Sequence, residues 1–395
     1  MKLGISRNVF ILSGVSFFND IASEMIYPLI PLFLTISLKA PLSIVGLIEG
    51  IAESTACISR IFSGILSDRW QRRKSFAAAG YFLSTLAKLI LSLAFLWPVV
   101  LLARFIDRLG KGIRTPPRDA LIAESSGDIL RGRAFGFHRA MDTLGATIGP
   151  LLAIFFLNFL KQNFRLIFFL SFIPAFLGLV LLILFVKEKE PLTLSQKINF
   201  NWRNQHTSFK IFLFISLIFA LGNSSDAFLI LRAKNLGFSP SLVVLLYVVF
   251  NFTYALFSTP AGIISDKVGP RKVLISGFLL FALIYLFFGI IERKVFLWFL
   301  FPLYGIYMAL TEGVGKAYVS HLVPEDKLGT ALGVYQMLLG ICTFFASFIA
   351  GLLWTHLNVQ APFILGSIMA MLSAFLFIIL GRKYGLPCFG EEMAS

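Results

Sequence analysis

Apolar residues in this chain recur in blocks of about 20, from Val9 to Leu380, separated by short polar stretches. A block of that length, wound as a helix at ~1.5 Å per residue, crosses the hydrocarbon core of a bilayer. This pattern constrains the fold more than any other feature of the sequence. In lipid, each backbone N–H and C=O must be satisfied within its own segment, and a helix does that. The composition agrees: 57% of residues are hydrophobic and 14% charged, against roughly 45–50% and about 25% in soluble domains. Mean hydropathy is +0.85. These values exclude a disordered chain and argue against an ordinary soluble enzyme. The expected class is an all-α membrane protein.

Twelve apolar stretches can be drawn, at roughly 9–36, 42–66, 75–96, 98–122, 134–158, 165–187, 209–232, 240–264, 273–291, 295–320, 328–354 and 361–381. The one long interruption, KEKEPLTLSQKINFNWRNQHTS at 187–208, is polar and contains Pro191. It predicts an N-terminal six-helix bundle at 1–187, a linker at 188–208, and a second six-helix bundle at 209–395 ending in a short tail. The first stretch contains Asp20 and Glu24, which a cleavable signal peptide would not, so it reads as a retained first helix. With a cytoplasmic N-terminus, 20 basic residues fall in the loops and span ends of one side and 7 on the other. The positive-inside rule then places both termini and the linker in the cytoplasm. The same rule accounts for the net charge of +15, which in a soluble chain would suggest nucleic acid and here does not.

The loop after the second stretch reads Gly64-Ile-Leu-Ser-Asp68-Arg69-Trp-Gln-Arg-Arg73-Lys74, and that after the eighth reads Gly262-Ile-Ile-Ser-Asp266-Lys267-Val-Gly-Pro-Arg271-Lys272. From Gly64 to Gly262 the offset is 198 residues, or six spans. A weaker echo, Ala134-Phe-Gly136 and Ala331-Leu-Gly333, follows both. A basic loop explains one copy, but two copies in register point to duplicated halves, an arrangement that places a substrate site where the halves meet near the midplane. In this reading Gly64 lets two helices approach closely, the Asp closes a helix end, and the Arg/Lys run holds the loop at anionic lipid.

These loops resemble motif A of the major facilitator superfamily, with Gln71 where Gly is usual and Gly269 keeping it. Arg104-Phe-Ile-Asp107 with Gly110 and Thr115-Pro116 is similar to motif B, although Asp107 replaces the commoner Gln and Arg108 a Gly. Gly145-Ala-Thr-Ile-Gly149-Pro150 matches the core of motif C. The resemblance covers essentially the whole chain. It implies the superfamily's fold of two pseudo-symmetric six-helix bundles, a location in the plasma membrane (the bacterial inner membrane), and a monomer. Motif C further implies a likeness to bacterial proton-coupled exporters. From physics alone, Gly145, Gly149 and Pro150 equally serve to bend and closely pack a helix.

Sixteen ionisable residues fall within the spans: Asp20, Glu24, Glu49, Glu53, Arg60, Lys88, Arg104, Asp107, Arg108, Lys111, Arg114, Arg139, Asp142, Asp226, Glu312 and Lys316. At roughly 2.5–3.5 kcal/mol each at a helix centre, exposing all of them to lipid would cost about 40 kcal/mol. Folding stabilities are only about 5–15 kcal/mol, so most must pair, snorkel or line water. Thirteen lie in the first half, which is therefore the expected seat of ion coupling. Asp20 and Glu24 share a helix face with Asn19 and Tyr27. Neighbouring carboxyls resist double ionisation, so this pair suits proton loading, with Arg104 the expected partner. The competing reading is a permanent structural pairing to Arg side chains.

Arg104, Arg108 and Lys111 follow one face of the fourth span and invite an anionic solute, although Asp107, Asp119 and Asp142 are near enough in sequence to neutralise much of it. Glu49, Glu53 and Arg60 read as a structural ladder, and Glu312 and Lys316, four apart, as an internal pair. Asp226 lies in a polar stretch of the seventh span. Asn19, Tyr27, Arg108, Lys111, Asp142, Asp226 and Glu312 are the expected substrate-cavity residues.

No catalytic set, zinc spacing, disulfide framework or phosphate loop is present in the sequence; Gly110-Lys111-Gly112 lacks the first Gly and the Ser/Thr of such a loop. Neither an enzyme nor a cofactor is expected. The leading expectation is a proton-coupled secondary transporter, an efflux antiporter for a small organic solute working by alternating access. The alternatives are a proton-coupled carrier of an anionic solute, such as an organic acid or carboxylate siderophore, and a non-transporting receptor on the same scaffold.

Overall fold

The computed structural model describes residues 6–70, 72–126, 131–188, 206–323, 328–384 and 386, and among them the regular structure is helical with no strand. Twelve membrane-length helices follow in order among these residues. The first six are α1 (Arg7–Ser37), α2 (Leu42–Trp70), α3 (Arg73–Ser92), α4 (Trp97–Ser126), α5 (Arg131–Phe159) and α6 (Phe164–Phe185). The second six are α7 (Thr207–Asn235), α8 (Pro240–Val268), α9 (Pro270–Ile290), α10 (Leu297–Leu322), α11 (Leu328–His356) and α12 (Ala361–Lys383). Eleven are apolar enough to cross a membrane on composition alone. α4 has the length, 30 residues, but carries a charged face.

Two helices are broken, each for a local reason. In α1, Pro28 and Pro31 lack the N–H that would continue the ladder. Regular helix stops at Ile26, resumes over Leu29–Leu32 and widens into a π turn over Phe33–Ser37. Thr35 Oγ1 donates to the Pro31 carbonyl at 2.8 Å. In α7 the helix stops at Gly222 and restarts at Ala227, across Asn223-Ser-Ser-Asp226. There the Ser225 N–H donates to Ser347 Oγ at 3.1 Å and Asn223 Nδ2 to the Tyr307 hydroxyl at 3.0 Å. Irregular backbone at membrane depth is tolerated where protein groups satisfy it in this way.

The helices form two compact units. One holds α1, α2 from Ile51, α3 to α6 and Pro240–Leu245 of α8; the other holds Pro41–Gly50, α7, α8 from Leu246, and α9 to α12. The first unit has a mostly aliphatic core of Val9, Leu12 and Val15 from α1, Ala77 and the aromatic Tyr81 from α3, Leu121 and Ile122 from α4, and Leu179 and Leu182 from α6. The second is aromatic inside. Phe281 stacks on Tyr285 with centroids 3.9 Å apart, Phe219 on Phe278 at 4.2 Å, and Phe288 on Phe363 at 5.9 Å. The chain's 44 Phe are thus partly core. Phe82, Phe155, Phe159 and Phe169 are exposed as expected of lipid-facing side chains.

Basic residues at helix ends cap other helices. Lys74 Nζ donates to the Ile183 carbonyl near the end of α6 at 2.9 Å. Its neighbour Arg73 forms an ion pair with Glu124. In the second copy of the loop, Arg271 is buried and donates to the carbonyls of Phe377 and Ile378 near the end of α12 at 3.2 Å, and to Leu386 at 3.3 Å. Arg165 does the same for Ala94 after α3, and Arg232 for Phe288 and Ile291 at the end of α9. Helix C-termini carry unsatisfied carbonyls and partial negative charge, which a cation meets.

The expectation that the Arg/Lys run reaches for lipid headgroups is corrected for Lys74 and Arg271, whose charges serve the bundle. Lys267, Lys272 and Asp266 are exposed. The side chains of Asp68 and Arg69 lie outside the described residues. Gly269, at φ +93°, turns the chain into α9 in a conformation that only glycine adopts readily.

Gly64 does not mediate the close approach expected of it, and neither does its counterpart Gly262. A Cβ built on Gly64 would meet only Pro116 Cβ, at 3.7 Å, and one on Gly262 nothing within 4 Å. The close contacts come from other glycines. A Cβ on Gly80 would lie 2.6 Å from the Gly110 carbonyl oxygen, and one on Gly110 2.5 Å from that of Gly80, so the backbones of α3 and α4 touch. Gly80→Ala should therefore lower the unfolding temperature in detergent, consistent with about 1–3 kcal/mol of overpacking. Gly262→Ala, measured by the same thermal unfolding, should leave it unchanged.

Candidate functional site

The charged face of α4 organises the first unit. Arg104, Arg108, Lys111, Arg114 and Arg118 recur every three or four residues, with Asp107 beside Arg108, so they project from neighbouring sides of one helix. The Gly80–Gly110 contact brings α3 against this face. Lys88, wholly buried on α3, lies 3.4 Å from Asp107 Oδ1, and its Nζ donates to the Ser84 carbonyl at 3.1 Å and Ser23 Oγ at 3.4 Å. Ser84 Oγ donates to the Asp107 carbonyl at 3.2 Å and accepts from Arg114 at 2.5 Å. Arg114 also sits over the Tyr81 ring, 4.8 Å from its centroid. The Tyr81 hydroxyl is 3.1 Å from Ser16 Oγ, which accepts from Arg118 at 3.0 Å. Arg118 in turn pairs with Asp119 at 2.8 Å. A continuous polar ladder thus runs along α4 through α3 and α1.

A second group gathers around Tyr27. The guanidiniums of Arg104 and Arg108 lie 5.5 and 5.7 Å from its ring centroid, within cation–π range. Arg108 pairs with Glu53 of α2 at 3.1 Å. Lys111 and Arg60 act electrostatically on Glu53, and Glu24 on Lys111. The sequence reading had Glu53 in a ladder with Glu49 and Arg60, and had Asp107, Asp119 and Asp142 neutralising the basic stripe. The structure adds partners to that reading: Glu53 pairs with Arg108 while Arg60 still acts on it, Asp107 pairs with Lys88 while still acting on Arg104, Arg108 and Arg114, Asp119 pairs with Arg118, and Asp142 lies against His138. Nothing in spacing along one chain reveals a partner on another helix. Lys88 was the available signal, a lone cation in the apolar stretch of α3.

The motif C glycines place α5 directly on the acidic face of α1. A Cβ on Gly145 would lie 2.6 Å from the Phe17 carbonyl oxygen and 3.1 Å from Asp20 Cβ. One on Gly149 would lie 2.7 Å from the Ile21 carbonyl oxygen and 3.0 Å from Glu24 Cβ. One turn before Gly145, Asp142 lies 3.5 Å from His138 Nε2, and its Oδ1 has no hydrogen-bond partner among the described residues. Asp20, Asp119, Arg118 and Arg139 are near enough to act electrostatically on Asp142. Asp20 accepts one long hydrogen bond, 3.5 Å, from Asn19 Nδ2 and forms no ion pair among the described residues. Of the two carboxyls expected to partner Arg104, Asp20 and Glu24, Asp20 makes no such pair among the described residues; the Tyr27 ring also lies against the Arg104 guanidinium. Pro150 follows Gly149 inside α5 without ending the helix.

In the second unit, Asp226 accepts from the Tyr304 hydroxyl at 2.7 Å, at the break in α7. Glu312 accepts from Tyr254 at 2.9 Å. Glu312 and Lys316 are both exposed and do not form the internal pair read from their spacing. A nearby phenol supplies a hydrogen bond without holding a long lysine chain in one rotamer, which exposed pairs seldom repay.

Twelve membrane-length helices, a buried charged ladder and half-buried acids define a multi-pass membrane protein. The sequence model of the Major Facilitator Superfamily matches residues 12–231 and 211–387, and the chain belongs to that superfamily. An MFS-type transporter of Methanocaldococcus jannaschii is 39% identical over 384 residues, 95% of each chain. A Mycobacterium tuberculosis protein is 38% identical over 116 residues, 29% of this chain and 28% of its own. Among solved structures, the nucleoside transporter NupG aligns with a TM-score of 0.78 at 14% identity, over 95% of this chain and 100% of that one. A POT family transporter in complex with 5-aminolevulinic acid aligns at 0.80 and 15%, over 96% of each. These likenesses show the fold.

Because Lys88 and Asp107 are buried together, removing one strands the other charge. Lys88→Met should destabilise the protein by about 3–5 kcal/mol, and Lys88→Met with Asp107→Asn should recover much of it. A double-mutant cycle on thermal unfolding in detergent reads this coupling.

Proposed function

We propose that this superfamily member is a proton-coupled secondary transporter, not an enzyme, that exports a small organic solute by alternating access in exchange for protons. Asp20 and Asp142 would carry the proton. The observation behind this assignment is that Asp20, half-buried on α1, has no cation paired to it among the described residues, while a second carboxyl, Asp142, acts on it across the seam made by Gly145 and Gly149. Two carboxyls so placed exchange a proton as a pair, because the second negative charge is opposed by the first. Arg118, which acts on Asp142, ties that pair to the ladder along α4.

Glu24, one turn beyond Asp20, acts on Lys111. It would relay the state of the carboxyl pair to the basic group around Tyr27. Export rests on the resemblance of Gly145-x-x-x-Gly149-Pro150 to motif C. The excess of basic residues on one side supports cytoplasmic termini in the plasma membrane, and the chain would work as a monomer.

In vesicles of purified protein loaded with a pH-sensitive dye, addition of a transported solute should move protons. Asp20→Asn and Asp142→Asn should each abolish that movement while retaining solute exchange at equal pH on both sides. Gradient-driven flux that survives in both variants rejects the proton site.

A further inference from the structure

We propose that His138 is a further proton-carrying residue of this transporter, a relay between Asp142 and the membrane face at which α5 begins. The inference rests on the transporter reading above and deepens it, because it gives the carboxyl pair of Asp20 and Asp142 a route to one face. α1 and α5 start on the same side. Phe10 stacks on Phe137 with centroids 5.9 Å apart, and further along Gly145 meets Phe17 and Gly149 meets Ile21. At ~1.5 Å per residue, Asp142 lies about 16 Å along α5 from Arg131, and His138 about 10 Å. The imidazole therefore stands between the carboxyls and the start of both helices.

The ring is placed to deliver and is not held. His138 is 4% exposed, and its Nε2 lies 3.5 Å from Asp142 Oδ2, one turn further along α5. Neither ring nitrogen makes a hydrogen bond among the described residues, and neither does Asp142 Oδ1. Buried polar atoms are nearly always satisfied, so three such atoms in one place call for a reason. A histidine that only supports the fold is fixed through its nitrogens. This one keeps a bare nitrogen with a lone pair, which accepts a proton, and a ring that can turn.

The surrounding charges make the stop on the ring brief. Arg118 of α4 and Arg139 of α5 act on His138. The same two arginines act on Asp142, as do Asp20 of α1 and Asp119 of α4. Arg118 is itself tied to Asp119 and to Ser16. An imidazolium beside two guanidiniums is opposed by like charge, while the carboxylate 3.5 Å away attracts its proton. In uptake, a proton from water bonds to the bare Nε2 and the ring turns toward Asp142. The N–H bond then breaks as an O–H bond forms at Oδ2. The ring returns to its starting neutral form, the carboxylate becomes a carboxylic acid, and release runs the same steps backwards.

The test uses purified full-length protein in neutral detergent, and its probe is the proton itself, released by a light flash from a caged acid. Time-resolved infrared spectra follow the carboxyl C=O band that Asp142→Asn removes. His138→Gln should slow the rise of that band about tenfold or more and leave its final height and its titration midpoint unchanged. His138→Asn should do the same. Both variants should unfold at the wild-type temperature, since the ring makes no hydrogen bond among the described residues. In the wild type, magnetic resonance of isotope-labelled histidine should show the His138 ring moving between two orientations.

Equal rates in wild type and His138→Gln overturn the relay, and so does a shifted titration midpoint at unchanged rate, which marks a fixed local charge. A single immobile ring in the wild type overturns it independently of any variant. If Asp142→Asn removes the band and His138→Gln behaves as wild type, the carboxyl pair stands and only the relay fails. A spectrum unaltered by Asp142→Asn and by Asp20→Asn rejects the pair itself, and the relay with it.

Discussion

The structure turns on one constraint, that charge buried among membrane helices must be met by charge or by water. α4 brings eight ionisable side chains into the first unit, six of them on its charged face, and the surrounding helices answer most of these one by one. Lys88 comes from α3 for Asp107, Glu53 from α2 for Arg108, and Ser16 and Tyr81 accommodate Arg118 and Arg114. Hydrogen bonds from serine fill the spaces between. A helix with such a face could not stand alone in lipid, so the bundle is what makes α4 a span.

Contact between backbones makes these pairings possible. Gly80 and Gly110 bring α3 onto α4, and Gly145 and Gly149 bring α5 onto α1 at Asp20 and Glu24. Helices in lipid gain little from apolar burial against one another, so close packing by small residues carries more of the association. The same glycines that hold the unit together therefore set which carboxyls become neighbours. In the second unit stacked aromatics fill the interior, and polar contacts concentrate at the break in α7.

Reading residues in order along the chain recovered whatever repeats locally. The apolar blocks marked the helices, with α1 running 7–37 where 9–36 was drawn. The duplicated loop and the Gly-Pro segment pointed to the superfamily, and the sequence model agrees over nearly the whole chain. The reading failed wherever a residue's role depended on a different helix. Gly64 looked like a contact point and meets almost nothing, while Gly110 entered only through the motif B resemblance, Gly80 not at all, and these two touch. Glu312 and Lys316 have ideal spacing for a pair, yet Glu312 accepts from Tyr254. Arg271 looked like a lipid anchor and is stapled to the end of α12.

Sequence alone determined that the chain crosses a membrane many times, that its halves repeat, and that its first half carries the charge. These are properties of composition and period, which a bilayer reads one segment at a time. Tertiary structure alone decided which charges are spent on one another and which remain available. Asp20 and Lys111 stay outside ion pairs among the described residues, while Asp107 and Arg108 do not. The reason is geometric: an ion pair needs atoms within about 4 Å, and only the approach of two helix backbones at small residues settles which side chains come that close.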